Sequence, residues 1–318
     1  QTGVLPEALK QRKAHSGRLF YTMSAIALAQ STKPNVVFCG HLFMAPLAAV
    51  IAWLIGAKLI VQVHGIEAWD NPSRLQRWSI ERADLVLSVS RYTRSRVLRW
   101  ANINPLRICV LPNTIRPQFC PGDRAAARQR FNLENQKVLL TVGRLAASER
   151  YKGQDSVIAA LSELQTSEKQ ELLYLVAGEG DDRSRLEGLA NNQGVADKVR
   201  FLGAVDNEAL TDLYRAADLF VMPSTGEGFG ISFVESMASG TPAFGLLVGG
   251  ARDALAVSGN PGMPPTFQET QTIAGNLRNS LTTMSSDFDS SRLAANVRDY
   301  FGRAVFTQRA LHLLRSCQ

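Results

Sequence analysis

Short apolar runs rich in β-branched residues recur along this chain, separated by stretches whose apolar residues fall at helical spacing. In the first half the runs are Val36–Cys39, Lys58–Val63, Leu85–Val89 and Ile108–Leu111. In the second they are Val138–Val142, Leu172–Ala177, Val199–Leu202 and Leu219–Met222. Their apolar character is too continuous for strands with one wet face, so they predict strands buried on both sides. Arg18–Gln30, Ser156–Leu164, Arg183–Asn191 and Glu208–Ala216 predict helices. That alternation leaves little choice: parallel sheets covered by helices on both faces, an α/β fold. The connection from Pro112 to Gln136, with Pro117, Pro121 and Gly122, reads as a passage between two Rossmann-like domains. We therefore expect domains at residues 1–122 and 123–318, with the last helix free to pack back on the first. Ligands belong at the carboxyl ends of the strands, in the cleft between the two.

The first half offers fewer strands than a complete doubly wound domain and lacks a glycine-rich first turn. The expectation is an N-terminal domain that is incomplete in this sequence.

At 318 residues, 45% hydrophobic and 20% charged, the chain has the composition of a globular protein with room for two cores. Its 4 cysteines show no metal-binding or redox spacing, which suits a reducing cytoplasm. The apolar run Leu42–Ile55 is broken by Pro46 and too short to span a bilayer, and the polar, basic opening segment does not read as a signal peptide. A soluble, cytoplasmic protein is expected. The net charge of +7 gathers in Lys10–Lys13 and Arg91–Arg99. A solvated helix face, an anionic membrane surface and nucleic acid are the readings such runs allow. Val97, Leu98 and Trp100 among the arginines suit peripheral contact with the inner face of the plasma membrane. No finger spacing or aromatic–basic signature supports nucleic acid.

The densest chemistry is Pro223-Ser-Thr-Gly-Glu227-Gly-Phe-Gly-Ile-Ser-Phe-Val-Glu235, a strand end, a glycine-rich turn and a helix start. Gly226, Gly228 and Gly230 let backbone approach a ligand, and the amides of Gly228, Phe229, Gly230 and Ile231 suit a phosphate. Glu227 in the turn and Glu235, expected two turns into the helix, can grip sugar and ribose hydroxyls. The bland alternative is a crossover with an incidental glutamate. Gly143-Arg144 follows a strand, and Lys152 precedes a helix; two cations at the mouth of a cleft are what a diphosphate leaving group needs. Either alone reads equally as a surface residue. His64, before Gly65 at a strand end, is a cap residue or a cleft residue. Asp181-Asp182 reads as a helix cap and not a metal site.

Taken together these segments resemble the retaining glycosyltransferases of family 4, which have the GT-B fold of two facing Rossmann-like domains. The resemblance runs from about Asn35 onward and includes the family's glutamate motif at Glu227 and Glu235. Further matches are Ser88-Val-Ser90, Ala177-Gly-Glu-Gly180, Gly203-Ala-Val205 and Ala217-Asp218. It implies that Glu227 and His64 contact the transferred sugar and that Glu235 binds the donor ribose. It also implies that Arg144 and Lys152 hold the diphosphate and that Val205 lies in the base-contacting loop. The implied reaction moves a sugar from GDP-mannose or a UDP-hexose to a glycan or lipid-linked hydroxyl, with no metal or other cofactor. The flavour is that of the phosphatidylinositol-mannoside and related mannosyltransferases of bacterial cell-envelope polysaccharide synthesis. A catalytically silent nucleotide-sugar-binding scaffold is the alternative; a GT-B epimerase or phosphorylase is a further rival, the phosphorylase disfavoured for want of a lysine context for a pyridoxal cofactor. Asp253 departs from the family, which favours glutamate there, and Ala243–Val248 replaces a valine-rich strand.

Overall fold

The computed structural model describes residues 17–70, 72–164, 171–257, 260, 272–283 and 288–315. Lys10–Lys13 lies outside the described residues.

The first half carries β1 (Val36–Cys39), β2 (Lys58–Val63), β3 (Leu85–Ser88) and β4 (Ile108–Val110). They pair in parallel in the order β1-β2-β3-β4. Helices α1 (Arg18–Thr32), α2 (Ala45–Ile55), α3 (Arg74–Arg82) and α4 (Arg91–Trp100) alternate with them. The second half carries β5 (Lys137–Val142), β6 (Leu172–Ala177), β7 (Val199–Gly203), β8 (Leu219–Val221) and β9 (Ala243–Phe244). Its order is β7-β6-β5-β8-β9, again all parallel. Its helices are α5 (Arg124–Arg130), α6 (Gln154–Leu164), α7 (Arg183–Asn192), α8 (Asn207–Ala216), α9 (Ile231–Ala238) and α10 (Ala251–Leu255). Three more follow: α11 (Ile273–Thr283), α12 (Ser290–Phe301) and α13 (Arg303–Arg315).

Alternate residues of the second sheet enter different cores, which is why its strands read as unbroken apolar runs. Leu173, Leu175 and Ala177 of β6 join the side that holds Leu213 and Tyr214 of α8, Phe233 and Met237 of α9, and Leu293 of α12. Leu172, Tyr174 and Val176 join Val157 and Leu161 of α6, Leu186 of α7 and Leu277 of α11. Asp218, just before β8, accepts from the Val138 N–H at 2.8 Å and pairs with Arg124, Arg128 and Lys137. That carboxylate fastens α5, and with it the second part of the connection between the halves, to the second sheet.

The halves are sewn together at several points. Phe306, Ala310 and Leu313 of α13 pack on Ile60, Leu85, Leu87 and Leu111, so α13 covers a face of the first sheet. The carbonyl of Phe301 accepts from Ile115 N–H at 3.1 Å and from the Thr114 hydroxyl at 2.8 Å.

The basic run Arg91–Arg99 is not the free cationic face that its sequence suggests. Arg91 pairs with Asp253, Arg94 donates to the carbonyls of Ile108 and Pro105, and Arg96 donates to Trp69 O and Asp70. Val97 is fully buried. The guanidinium groups reach backbone carbonyls of neighbouring segments, a use that periodicity alone does not distinguish from solvation. Cys39, Cys109 and Cys120 are free thiols. Among the described residues no helix is long and apolar enough to cross a membrane.

Candidate active site

The strand order of the second sheet reverses between β5 and β8: β6 and β7 lie to one side of β5, β8 and β9 to the other. Connections leaving the two neighbouring strands therefore diverge, opening a crevice at their carboxyl ends. Gly143-Arg144 leaves β5 and Pro223–Glu227 follows β8, so both motifs meet at this switch point. After Arg144 the chain passes through a 3-10 segment, Ala147–Lys152, and turns at Gly153 into α6. Backbone ties join the two loops, with Thr225 N–H donating to Tyr151 O at 2.8 Å.

Arg144 and Lys152 come together here, and Glu227 joins them. Burial pushes the Glu227 carboxyl up from its ordinary range, while the Lys152 charge and a Ser224 hydrogen bond pull it down. Tyr151, between them, is pushed up to about 12 by burial first, then by the charges of Glu227 and Glu149. Gly143 lies against Lys152, whose Nζ would stand 3.4 Å from an added Cβ.

Glu235 stands apart from that group. Its carboxylate accepts from the Tyr214 hydroxyl at 3.1 Å, and its pKa is raised by burial against the pull of Tyr214 and Arg116. Since α9 begins at Ile231, Glu235 lies little more than one turn into the helix, not the two turns expected. The two glutamates thus keep different partners, Lys152 and Ser224 for Glu227, Tyr214 and Arg116 for Glu235. Tyr214 and Arg116 carry no local sequence signal.

Gly230 caps α9 in the left-handed region at φ 84°, and no side chain caps the helix there, so its first amides face the crevice unclaimed by a cap. Phe233 in the first turn is wedged between Gly230 and Gly245, where added Cβ atoms would come within 2.5 and 2.6 Å of its ring. Phe229 and Ile231 flank the cap; Phe229 is buried against Phe301, ring centroids 5.4 Å apart. Its side chain is therefore part of the core, and only its backbone remains for a ligand.

Gly228 corrects a simpler expectation. An added Cβ would lie 2.1 Å from His64 O and 2.9 Å from Gly65 Cα. The space that the missing side chain leaves is taken by the backbone of the first half, not kept for a ligand alone. Gly65, at φ 150°, is the reciprocal partner. His64 is thereby fixed at the crevice, its Nε2 2.8 Å from Gly40 O and its ring 6.1 Å from that of His41. Val205, in the loop after β7, is half-buried against the second-half core.

Asp182 also departs from expectation. It makes no side-chain cap on α7 and instead pairs with Arg150 at 2.8 Å and Arg185 at 2.6 Å. Arg185 first, then Arg150, hold its carboxyl below the usual range. Asp181 accepts from Ala147 N–H at 2.8 Å. Both aspartates anchor the segment that carries Lys152. Among the described residues no group of three or more His, Cys, Asp or Glu side chains is placed to hold a metal ion.

Two parallel α/β sheets, with a cation pair and a buried glutamate at the switch point of the second and a histidine strand end from the first, define a GT-B architecture. Residues 5–119 match the family described as Glycosyltransferase Family 4, and residues 123–260 match that described as Glycosyl transferases group 1. The chain belongs to this glycosyltransferase family. It is 32% identical over 237 residues to D-inositol 3-phosphate glycosyltransferase 2 of Catenulispora acidiphila, covering 66% of this chain and 55% of the relative. Over 227 residues it is 33% identical to the GDP-mannose-dependent alpha-(1-6)-phosphatidylinositol monomannoside mannosyltransferase of Mycolicibacterium smegmatis, covering 66% and 58%. The chain thus spans little more than half the length of these curated relatives. Among solved structures, Anabaena Alr3699/HepE in complex with UDP shares the fold at a TM-score of 0.79 and 20% identity, over 93% of this chain and 82% of that one.

Proposed function

We propose that this protein transfers a hexosyl group from a nucleoside-diphosphate sugar, GDP-mannose or a UDP-hexose, to a hydroxyl acceptor with retention at the anomeric carbon. The observation that carries this reading is the convergence of Arg144, Lys152 and Glu227 at the β5/β8 switch point. As the bond from the anomeric carbon to the diphosphate breaks, negative charge grows on the leaving oxygen. Two cations and the amides of Phe229, Gly230 and Ile231 oppose it, at roughly 3 kcal/mol for each well-placed group. The acceptor oxygen attaches to the same face that the diphosphate leaves, and its proton passes to a leaving-group oxygen. Such a displacement needs no protein nucleophile and no metal. Glu227 and His64 face the sugar, Glu235 the ribose and Val205 the base. A relative named for GDP-mannose and a fold neighbour crystallised with UDP support a nucleotide-sugar donor without choosing the base.

The acceptor belongs on the first half. A groove of about 850 Å³ lies between the start of α1 and the chain after β1, lined by Arg18, Tyr21, Thr22, Phe43, Met44 and Leu47. An apolar wall beside polar groups suits a glycolipid or a lipid-linked glycan, and peripheral contact with anionic lipid on the cytoplasmic side belongs to the same reading. Because α4 spends Arg91, Arg94 and Arg96 within the protein, that contact falls to exposed Trp53 and Leu75, near Arg74 and Arg82.

A thermal-shift panel of nucleotide sugars, followed by a transfer assay with the stabilising donor, tests the proposal. A cognate donor at a hundred times its Kd should stabilise the fold by ~2.7 kcal/mol. Binding without transfer or hydrolysis would instead establish the catalytically silent alternative.

A further inference from the structure

Between Arg144 and Lys152 stands a carboxylate whose place is not evident from its position in the chain. Glu149 Oε2 lies 2.5 Å from Lys152 Nζ, and Oε1 pairs with the Arg144 guanidinium. The Glu149 side chain is 11% exposed, whereas that of Arg144 is 78% exposed. Glu149 therefore lies on the inner side of the pair and Arg144 reaches in over it from solvent.

Glu149 is not what holds this segment in place. Arg150–Asp182, Asp181 to Ala147 N–H, and Tyr151 O to Thr225 N–H fix the backbone on both sides of it. Glu149 itself occupies a break in the 3-10 segment, at φ −119° and ψ 24°, outside the helical geometry of its neighbours. What its carboxylate does is neutralise both cations. With Glu227 close enough to feel the Glu149 charge, the group of Arg144, Lys152, Glu149 and Glu227 carries no net formal charge. A diphosphate meeting that group gains little from either cation while Glu149 engages them, because attraction to the pair is cancelled at short range.

Two oxygens bridging a guanidinium and an ammonium reproduce the contacts that oxygens of a diphosphate would make with the same groups. We propose that Glu149 is an internal stand-in for the donor's diphosphate, which must be displaced before Arg144 and Lys152 can hold that group. This rests on the reading that the two cations form the diphosphate site. Displacement makes binding selective. Small anions gain only what Glu149 already supplies, whereas a nucleotide sugar adds contacts from its base and ribose. The same carboxylate, returning after reaction, helps expel the nucleoside diphosphate product.

The test is calorimetric titration of the full chain and its Glu149→Gln, Glu149→Asp, Lys152→Ala and Arg144→Ala variants with inorganic pyrophosphate, UDP, GDP and the unphosphorylated nucleosides. With the counter-charge removed, Glu149→Gln should bind pyrophosphate and its nucleoside diphosphate about tenfold more tightly, with a steeper salt dependence. Nucleoside binding should not change. Glu149→Asp, too short to bridge both cations, should fall between wild type and Glu149→Gln. Equal or weaker diphosphate binding by both Glu149 variants, alongside loss of binding in Lys152→Ala, overturns the stand-in and makes Glu149 a positioning residue. Unchanged binding in both Lys152→Ala and Arg144→Ala instead removes the diphosphate site on which the proposal rests.

Discussion

The Asp253 carboxylate, at the start of α10, reaches across to the first half and holds Arg91 twice: the Arg91 N–H at 2.6 Å and its Nε at 2.7 Å. One side chain of the second domain thus satisfies a free amide at the N-terminus of α4 and pairs with the guanidinium beside it. Asp253 is 11% exposed while Arg91 is 73% exposed, so solvent weakens the pair from one side only. Asp253→Ala should cost the closed arrangement about 1 kcal/mol, a roughly fivefold loss in donor affinity. Small-angle scattering of the variant should show a larger radius of gyration. An unchanged radius and affinity would mean that other contacts hold the halves closed.

Gly228→Ala provides a steric counterpart. Its methyl would meet the His64 carbonyl, which is backbone and has little room to yield. Overpacking of this kind costs about 1–3 kcal/mol. The second half should keep its fold by circular dichroism while transfer drops roughly tenfold or more. Wild-type turnover in Gly228→Ala would show that the approach of the halves at this point is not needed for the reaction.

Lys152→Ala and Arg144→Ala should each lower kcat, on the order of 10²–10³-fold for Lys152 and less for the solvent-exposed Arg144. Lys152→Ala should also lower the melting temperature of the ligand-free protein, because Glu149 and Glu227 lose a buried counter-charge, whereas Arg144→Ala should change it little. Equal loss in kcat and kcat/KM would place the lysine's contribution in the transition state.

Burial raises the Glu227 carboxyl in the folded state, so the folded protein binds that proton more tightly than the unfolded chain does. Stability from this group is highest below the ordinary carboxylate pKa of 4.5 and is lost as pH rises through the higher folded value. Above that window the ionised carboxylate is a standing cost. Glu227→Gln should therefore melt higher than wild type at pH 8, with a smaller advantage at pH 4, while losing transfer activity. A variant that melts lower at pH 8 would show that Lys152 and Ser224 outweigh burial.

Much of this architecture is written in local pattern. β5 and β6 could be recognised because both of their faces are buried, which forces a continuous apolar run. Arg144, Lys152 and Glu227 could be located because strand ends and glycine turns have short-range signatures. β9 has only two residues before Gly245, too few to show a period. Arg91 and Asp253 are separated by 162 positions, and no local feature joins them. Glu149 looks like any loop glutamate until the break in the 3-10 segment turns it between the cations. The arginines of α4 have the spacing of a wet face, yet their forks close onto loop carbonyls. In each case the missing information is tertiary: which backbone group lies within reach of a long side chain.

The seat of α13 has a consequence for how the molecule is made. During synthesis both sheets emerge before the residues of α13, so Ile60, Leu85, Leu87 and Leu111 remain uncovered until that helix leaves the ribosome. Vectorial folding can finish one core of the second half early, but the first sheet must wait for a late-made segment to shield its greasy side. Nascent chains arrested before Arg303 are the ones most in need of a chaperone.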